Sequence, residues 1–180
     1  MANITLAVTG SIAAYKAADI VSALTKKKHN VTVLMTRSAT QFITPLTLQV
    51  LSKNKVHTDI MDEERPAVVN HIDLAKQTEL FIVAPATADT ISRLAQGAAN
   101  DVTAAVALAL PDEAIKMLAP AMNTQMYKNP LTARNLSILK EIGYEEIEPK
   151  EALLACGDYG RGALANVDEI VNAVLKKLEK

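Results

Sequence analysis

The sequence has one cysteine, no tryptophan, two phenylalanines and four tyrosines in 180 residues. A lone Cys156 excludes an intramolecular disulfide and any multi-thiolate zinc or iron–sulfur site, so any sulfur chemistry rests on that thiol. An excess of charge of one sign is also missing. Nineteen Lys and Arg against 20 Asp and Glu leave a formal charge of -1, with no broad electrostatic reason to bind nucleic acid or an anionic membrane. The longest uncharged apolar stretches, 80–88 and 102–111, fall well short of the roughly 20 residues that a membrane span requires. The opening Met1-Ala2-Asn3-Ile4 has neither the basic leader nor the cleavage site of an export signal. These absences predict a soluble, cytoplasmic protein whose partners are neither nucleic acid nor membrane.

Apolar residues make up 49% and charged residues 22%, the composition of a globular chain with a real core and too little length for two good domains. Residues 1–180 are therefore expected to form a single domain. Ile4, Leu6 and Val8 alternate with Asn3, Thr5 and Ala7 as in a strand, and Thr9-Gly10-Ser11 supplies a turn and a helix cap. A helix is predicted from there to about Lys28. Apolar, β-branched runs follow at 31–35, 80–84 and 115–119, separated by segments of helical spacing. Parallel neighbours need crossover connections, and a helix is the usual one, so the alternation predicts a Rossmann-like (flavodoxin-like) three-layer α/β fold around a parallel sheet. Val167, Ile170, Val171, Val174, Leu175 and Leu178 predict a closing helix. Asn166 and Glu169 form its capping box, with Lys176, Lys177 and Lys180 toward the C-terminal dipole. Segments 66–70 and 149–162 read as long loops.

An open parallel sheet holds its ligand beyond the carboxyl ends of its strands. The residues found there are small or hydroxyl-bearing: 9–16 after the first run, 36–39 after the second, 85–90 after the third and 120–123 after the fourth. A glycine at such a turn lets a ligand approach the backbone, and the free N–H groups of the helix that follows favour an anion. Neither G-x-G-x-x-G nor G-x-x-x-x-G-K-[ST] is present, which disfavours a conventional NAD or ATP site. Taken singly, these residues have ordinary readings. Gly10-Ser11 is a turn and cap, Ser38 and Thr87 are N-caps, His71 is a surface or capping histidine, and Asn123 is a turn former. Met122 reads as core, and a free cysteine is most often a small buried hydrophobe. Three glycines after Cys156 argue instead for a mobile loop, while His29 and His57 match no pattern and read as solvated surface.

Five motifs in order change that balance: G-S-I-A-A-Y-K at 10–16, H-I-D-L at 71–74, A-P-A-T-A-D-T at 84–90, P-A-M-N-T-Q-M-Y at 120–127 and L-A-C-G-D-Y-G-R-G-A-L at 154–164. Together they resemble the flavin-containing cysteine decarboxylases over nearly the whole chain. The resemblance implies an FMN site formed by Gly10, Ser11, Ile12, Ser38, Thr87, Ala88, Asp89, Thr90 and Ala121. It implies His71 as the base, Asn123 as the ligand of the substrate carboxylate, Met126 beside the substrate, and Cys156 as proton donor on a flap over the site. Asp158 and Arg161 of that flap are candidates for substrate contact or for a solvated ion pair.

The reaction implied is FMN-dependent oxidation of phosphopantothenoylcysteine at the carbon bearing its thiol, loss of CO2, and re-reduction of the enethiolate to phosphopantetheine in coenzyme A biosynthesis. Without such an electron sink the carbanion left by CO2 has nowhere to delocalise. Family sites form between subunits of a trimer, sometimes assembled into a dodecamer, so His71 would serve a neighbour's flavin. Asp89 stands where the family commonly has Asn, and Tyr127 where Trp is common. Many relatives carry a fused synthetase, for which 180 residues leave no room, so a separate synthetase is expected to supply the substrate. Rival readings are a peptidyl-cysteine decarboxylase, a flavin prenyltransferase and a regulatory flavoprotein. The 156–162 segment favours the pantothenate-type substrate, and the Lys-rich C-terminus lacks the acidic tail of the regulators.

Overall fold

The side chains of β1 (Asn3–Val8) alternate between two cores: Ile4, Leu6 and Val8 join one and Ala7 the other. The structure, a computed structural model, describes residues 1–63 and 67–179. After β1 a 3-10 turn (Ile12–Lys16) leads into α1 (Ala17–Lys26), then β2 (Asn30–Met35), a 3-10 turn (Ala39–Gln41), α2 (Pro45–Ser52) and β3 (Val56–His57). There follow α3 (Asn70–Gln77), β4 (Leu80–Ala86), α4 (Ala88–Gln96), α5 (Val102–Leu108), β5 (Ile115–Pro120), α6 (Thr124–Lys128) and α7 (Pro130–Glu141). The chain ends through β6 (Tyr144–Glu146), the pair β7 (Lys150–Leu153) and β8 (Tyr159–Ala163), and α8 (Val167–Leu178).

Six strands form a parallel sheet in the order β3-β2-β1-β4-β5-β6. Ile20 and Leu24 of α1, Leu48 of α2 and Ile170 and Val174 of α8 cover one face. Ala75 of α3, Ile91 of α4, Val102 and Val106 of α5 and Leu136 of α7 cover the other. With both faces covered, β4 is buried along its whole length, which is why it reads as a continuous apolar run and not as an alternation. This is the three-layer α/β arrangement expected, and the strand order reverses between β1 and β4. No helix among the described residues is long and apolar enough to cross a membrane.

The structure departs from the sequence expectations in five places. Edge strands β3 and β6 are too short, at two and three residues, to carry a periodic signal. The segment 149–162, expected as a loop, is an antiparallel hairpin of β7 and β8. His57 is buried, not solvated: β3 turns it under the segment entering α3, where Asn70 Nδ2 lies 3.3 Å from its Nδ1. His29 is half-buried and its Nδ1 accepts from Ala2 N at 3.3 Å; burial, with help from the N-terminal ammonium, lowers its pKa. The first helix opens with a 3-10 turn and stops at Lys26. Glu169 accepts from Asn166 N at 3.0 Å in the predicted capping box. Pro66 and Lys180 lie outside the described residues.

One polar tie secures the β6 edge. Tyr127 OH donates to Glu146 Oε1 at 2.7 Å, and Lys140 Nζ sits 2.9 Å from Glu146 Oε2, whose side chain is 5% exposed. Burial, then the bond to Glu146, raises the Tyr127 pKa well above its ordinary value. A nearly buried carboxylate that loses a donor bears its desolvation uncompensated. Tyr127→Phe is therefore expected to lower stability by about 1–3 kcal/mol in urea denaturation, the cost of stripping a charge-assisted bond.

Candidate active site

Thr9, at the end of β1, is fully buried, and its hydroxyl does two things. It donates to Pro85 O at 2.7 Å and accepts from Thr87 N at 3.1 Å, so the β1 and β4 loops are tied together where the sheet order reverses. Thr87 then caps α4, accepting from Thr90 N at 3.3 Å, and Ser11 caps the first helical turn, accepting from Ala13 N at 3.2 Å. Gly10 meets the β2 loop: a Cβ built on it would stand 2.4 Å from Ser38 Cβ. The third and fourth loops are joined by Ala121 N, which donates to Ala86 O at 3.0 Å.

The hairpin sits on the β5 loop through its glycines. Met122 N donates to Gly162 O at 2.9 Å, and a Cβ on Gly162, whose φ is +154°, would stand 2.3 Å from Met122 O. A Cβ on Gly160 would meet Thr124 Oγ1 at 2.7 Å. These two glycines serve close packing of a strand, in place of the mobility expected of them. Arg161 pairs with Glu148 and its Nε donates to Pro149 O at 3.2 Å, so it takes the ion-pair role.

Between these loops lies a cavity of about 800 Å³. Gly10, Ser11 and Ile12 line it from β1, Ser38 from β2, Thr87, Ala88, Asp89 and Thr90 from the start of α4, and Ala121 from beyond β5. Asn123, Met126 and Cys156 line it from the hairpin side. Met122 lines it too, half-buried beside the core. Asn123 Nδ2 donates to Cys156 Sγ at 3.2 Å and to Asp158 Oδ2 at 3.1 Å. Cys156 is exposed, against the ordinary expectation for a free cysteine.

His71 does not line the cavity. It sits in the first turn of α3, half-buried, with a buried Nδ1 that has no hydrogen-bond partner among the described residues.

Sequence reasoning missed Arg93 and Asp101 on the cavity wall. Arg93 Nε donates to Asp89 Oδ2 at 2.9 Å and its Nη1 stands 3.8 Å from Asp101 Oδ2. The Asp89 bond raises the Arg93 pKa further above its ordinary value. The i,i+4 spacing of Asp89 and Arg93 was the available signal for that pair; nothing local to the sequence marked Asp101.

The pattern of the family described as Flavoprotein matches residues 1–179, and the chain belongs to that family. Within it, the chain is 57% identical to the "Probable phosphopantothenoylcysteine decarboxylase" of Streptococcus mutans, over 98% of each sequence. It is 46% identical to the coenzyme A biosynthesis bifunctional protein CoaBC of Bacillus subtilis, over 97% of this chain and 42% of that protein. Among solved structures, a cysteine-to-serine mutant of PPC decarboxylase complexed with pantothenoylaminoethenethiol superposes with a TM-score of 0.92 at 31% identity, over 99% of each chain.

The Gly10–Ser38 approach carries a prediction. Gly10→Ala forces the β1 and β2 loops apart, and overpacking of this kind costs about 1–3 kcal/mol, enough for about a tenfold loss of flavin affinity. The expected result is weaker flavin retention by visible absorbance, with an unchanged far-ultraviolet circular dichroism spectrum.

Proposed function

We propose that this chain is an FMN-dependent decarboxylase that converts phosphopantothenoylcysteine to phosphopantetheine in coenzyme A biosynthesis. It acts in the cytoplasm as one flavoprotein decarboxylase domain, residues 1–180. The observation that carries this reading is the convergence of Asn123 and Cys156, 3.2 Å apart, on a cavity whose other wall is built from glycine and hydroxyl-bearing loops. An amide hydrogen-bond donor and a thiol facing one cavity suit a reaction that must hold a carboxylate, lose it and then protonate carbon.

The residues fit a flavin mononucleotide. The bare backbone at Gly10, pressed against Ser38, and the helix start at Thr87 offer N–H groups and hydroxyls to one phosphate, while the absence of a dinucleotide fingerprint argues against a second nucleotide. Gly10, Ser11, Ile12, Ser38, Thr87, Ala88, Asp89, Thr90 and Ala121 would hold it. When bound, FMN would supply hydride-transfer chemistry, an electron sink for oxidation at the carbon bearing the substrate thiol.

The chain's own residues do the rest. Asn123 Nδ2 donates to the substrate carboxylate without a full positive charge, which would stabilise the anion that must be lost. Met126 packs beside the substrate. Cys156 gives its thiol proton to the enethiolate carbon, and the hairpin that carries it keeps water from the intermediate. His71, outside this chain's own cavity, acts as base at the site of a neighbouring copy in a homotrimer or a dodecamer of trimers; imidazole suits that task at working pH. Exposed Ile12 and Tyr15 on the cavity wall supply apolar surface for such packing. The substrate comes from a separate synthetase.

Mass spectrometry of flavin-loaded protein incubated with phosphopantothenoylcysteine tests the reading: loss of CO2 and formation of phosphopantetheine are expected. A folded, yellow protein that gives no product overturns the substrate assignment and turns attention to peptidyl-cysteine substrates. His71→Asn is expected to fold and keep its flavin while losing turnover. Cys156→Ser is expected to release CO2 yet accumulate the oxidised enethiol, both read from the same mass spectra.

A further inference from the structure

The Asn123 amide already holds a carboxylate in this structure, and it belongs to the protein. Asn123 Oδ1 accepts from Gln125 N at 2.8 Å as the cap of α6, which fixes the plane of the amide. Its Nδ2 consequently faces the hairpin turn, where it meets Asp158 Oδ2 at 3.1 Å and Cys156 Sγ at 3.2 Å. Sγ lies 3.4 Å from the same carboxylate oxygen. The turn presents Asp158 firmly: Leu154 N donates to Asp158 O at 2.8 Å, Gly157 N donates to Leu154 O at 2.9 Å, and Gly157 takes a φ of +88°. Among the described residues no Lys or Arg forms an ion pair with Asp158.

We propose that Asp158 is a positioning residue that occupies, in the resting site, the place on the Asn123 amide that the substrate carboxylate takes during the reaction. The inference rests on the decarboxylase reading. One amide nitrogen offers two hydrogens, and in the resting site Nδ2 makes its contacts with Asp158 and Cys156 of the turn. A second carboxylate arriving there meets a like charge at contact distance, so one of the two must leave. Substrate binding therefore displaces the Asp158 carboxylate from the amide while the hairpin stays over the site. Loss of CO2 removes the competing anion, Asn123 is free again, and Asp158 returns to it.

This exchange makes a specific demand: Asp158 opposes ligands that carry the carboxylate and is indifferent to those that do not. Asp158→Ala in the flavin-loaded, full-length enzyme is expected to lower KM for phosphopantothenoylcysteine about two- to fivefold, the scale of one exposed charge contact. The inhibition constant of phosphopantetheine, which lacks that carboxylate, is expected to stay unchanged. A merely structural role for Asp158 would move both constants together. An active variant in which both move alike, or neither moves, overturns the exchange. Asp158→Ser is read in the same way should the alanine variant fail to retain flavin. Absence of turnover in the unsubstituted enzyme would instead take down the decarboxylase reading and the exchange with it.

Discussion

The two central loops of the cavity, after β1 and β4, depend on the buried hydroxyl of Thr9. At a sheet's reversal point the two central strands feed helices on opposite faces, and their loops diverge to form the crevice where ligands bind. Left alone, that crevice would expose the Pro85 carbonyl and the Thr87 N–H with nothing to bind them. Thr9 answers both with one side chain, donating at 2.7 Å and accepting at 3.1 Å. Serine has the same hydroxyl but lacks the methyl group, and valine would leave both backbone groups unsatisfied in a fully buried place. With Thr87 held, its own side chain is free to cap α4, which sets Asp89 and Thr90 on the cavity wall.

Steric closeness does the remaining assembly, and it explains where the glycines fall. Gly10 lets the first loop touch Ser38, Gly162 lets the hairpin touch the Met122 carbonyl, and Gly160 lets it touch Thr124. Of the glycines in the hairpin, Gly157 alone serves a turn, at a φ of +88° with open space around its Cα. The base of the hairpin is thus packed on the β5 loop, while its tip, closed on itself by the Leu154 N–Asp158 O and Gly157 N–Leu154 O bonds, meets Asn123 through side chains. A fixed turn with an exchangeable side-chain contact is what the carboxylate exchange requires.

The α/β alternation, the four long strands and the loops at their carboxyl ends were legible in the sequence because both signals are local: apolar runs of strand length, and small or hydroxyl residues just after them. The edge strands were not, since a two-residue strand such as β3 is defined by its neighbour β2 and not by its own pattern. The hairpin was misread because Gly160 and Gly162 look like flexibility when the Thr124 side chain and the Met122 carbonyl that they pack against are out of view. The residues expected at the cavity came largely from resemblance. Gly10 gained a physical reason only when Ser38 was seen against it. Asp158 was legible only as a candidate for substrate contact or an ion pair; its bond to Asn123, 35 residues away, left no local signal.

The charge on the cavity wall resolves the departure at Asp89. A carboxylate where the family commonly has an amide should repel a phosphate-bearing ligand, and Asp101 adds a second. Both lean on Arg93, at 2.9 and 3.8 Å, so the two acids and the one base form a nearly self-contained group at one side of the cavity. Exposed pairs of this kind add little stability, and here their effect is to keep the acids' field local. Lys16 and Arg37 also line the cavity, and among the described residues neither is in an ion pair. They flank the β1 and β2 loops, the end where Gly10 and Ser38 leave the backbone bare. The wall is therefore divided, with two acids sharing one arginine beside α4 and cations in no ion pair among the described residues beside the glycine turn. Such a division would orient an anionic ligand even though the chain as a whole carries a formal charge of only -1.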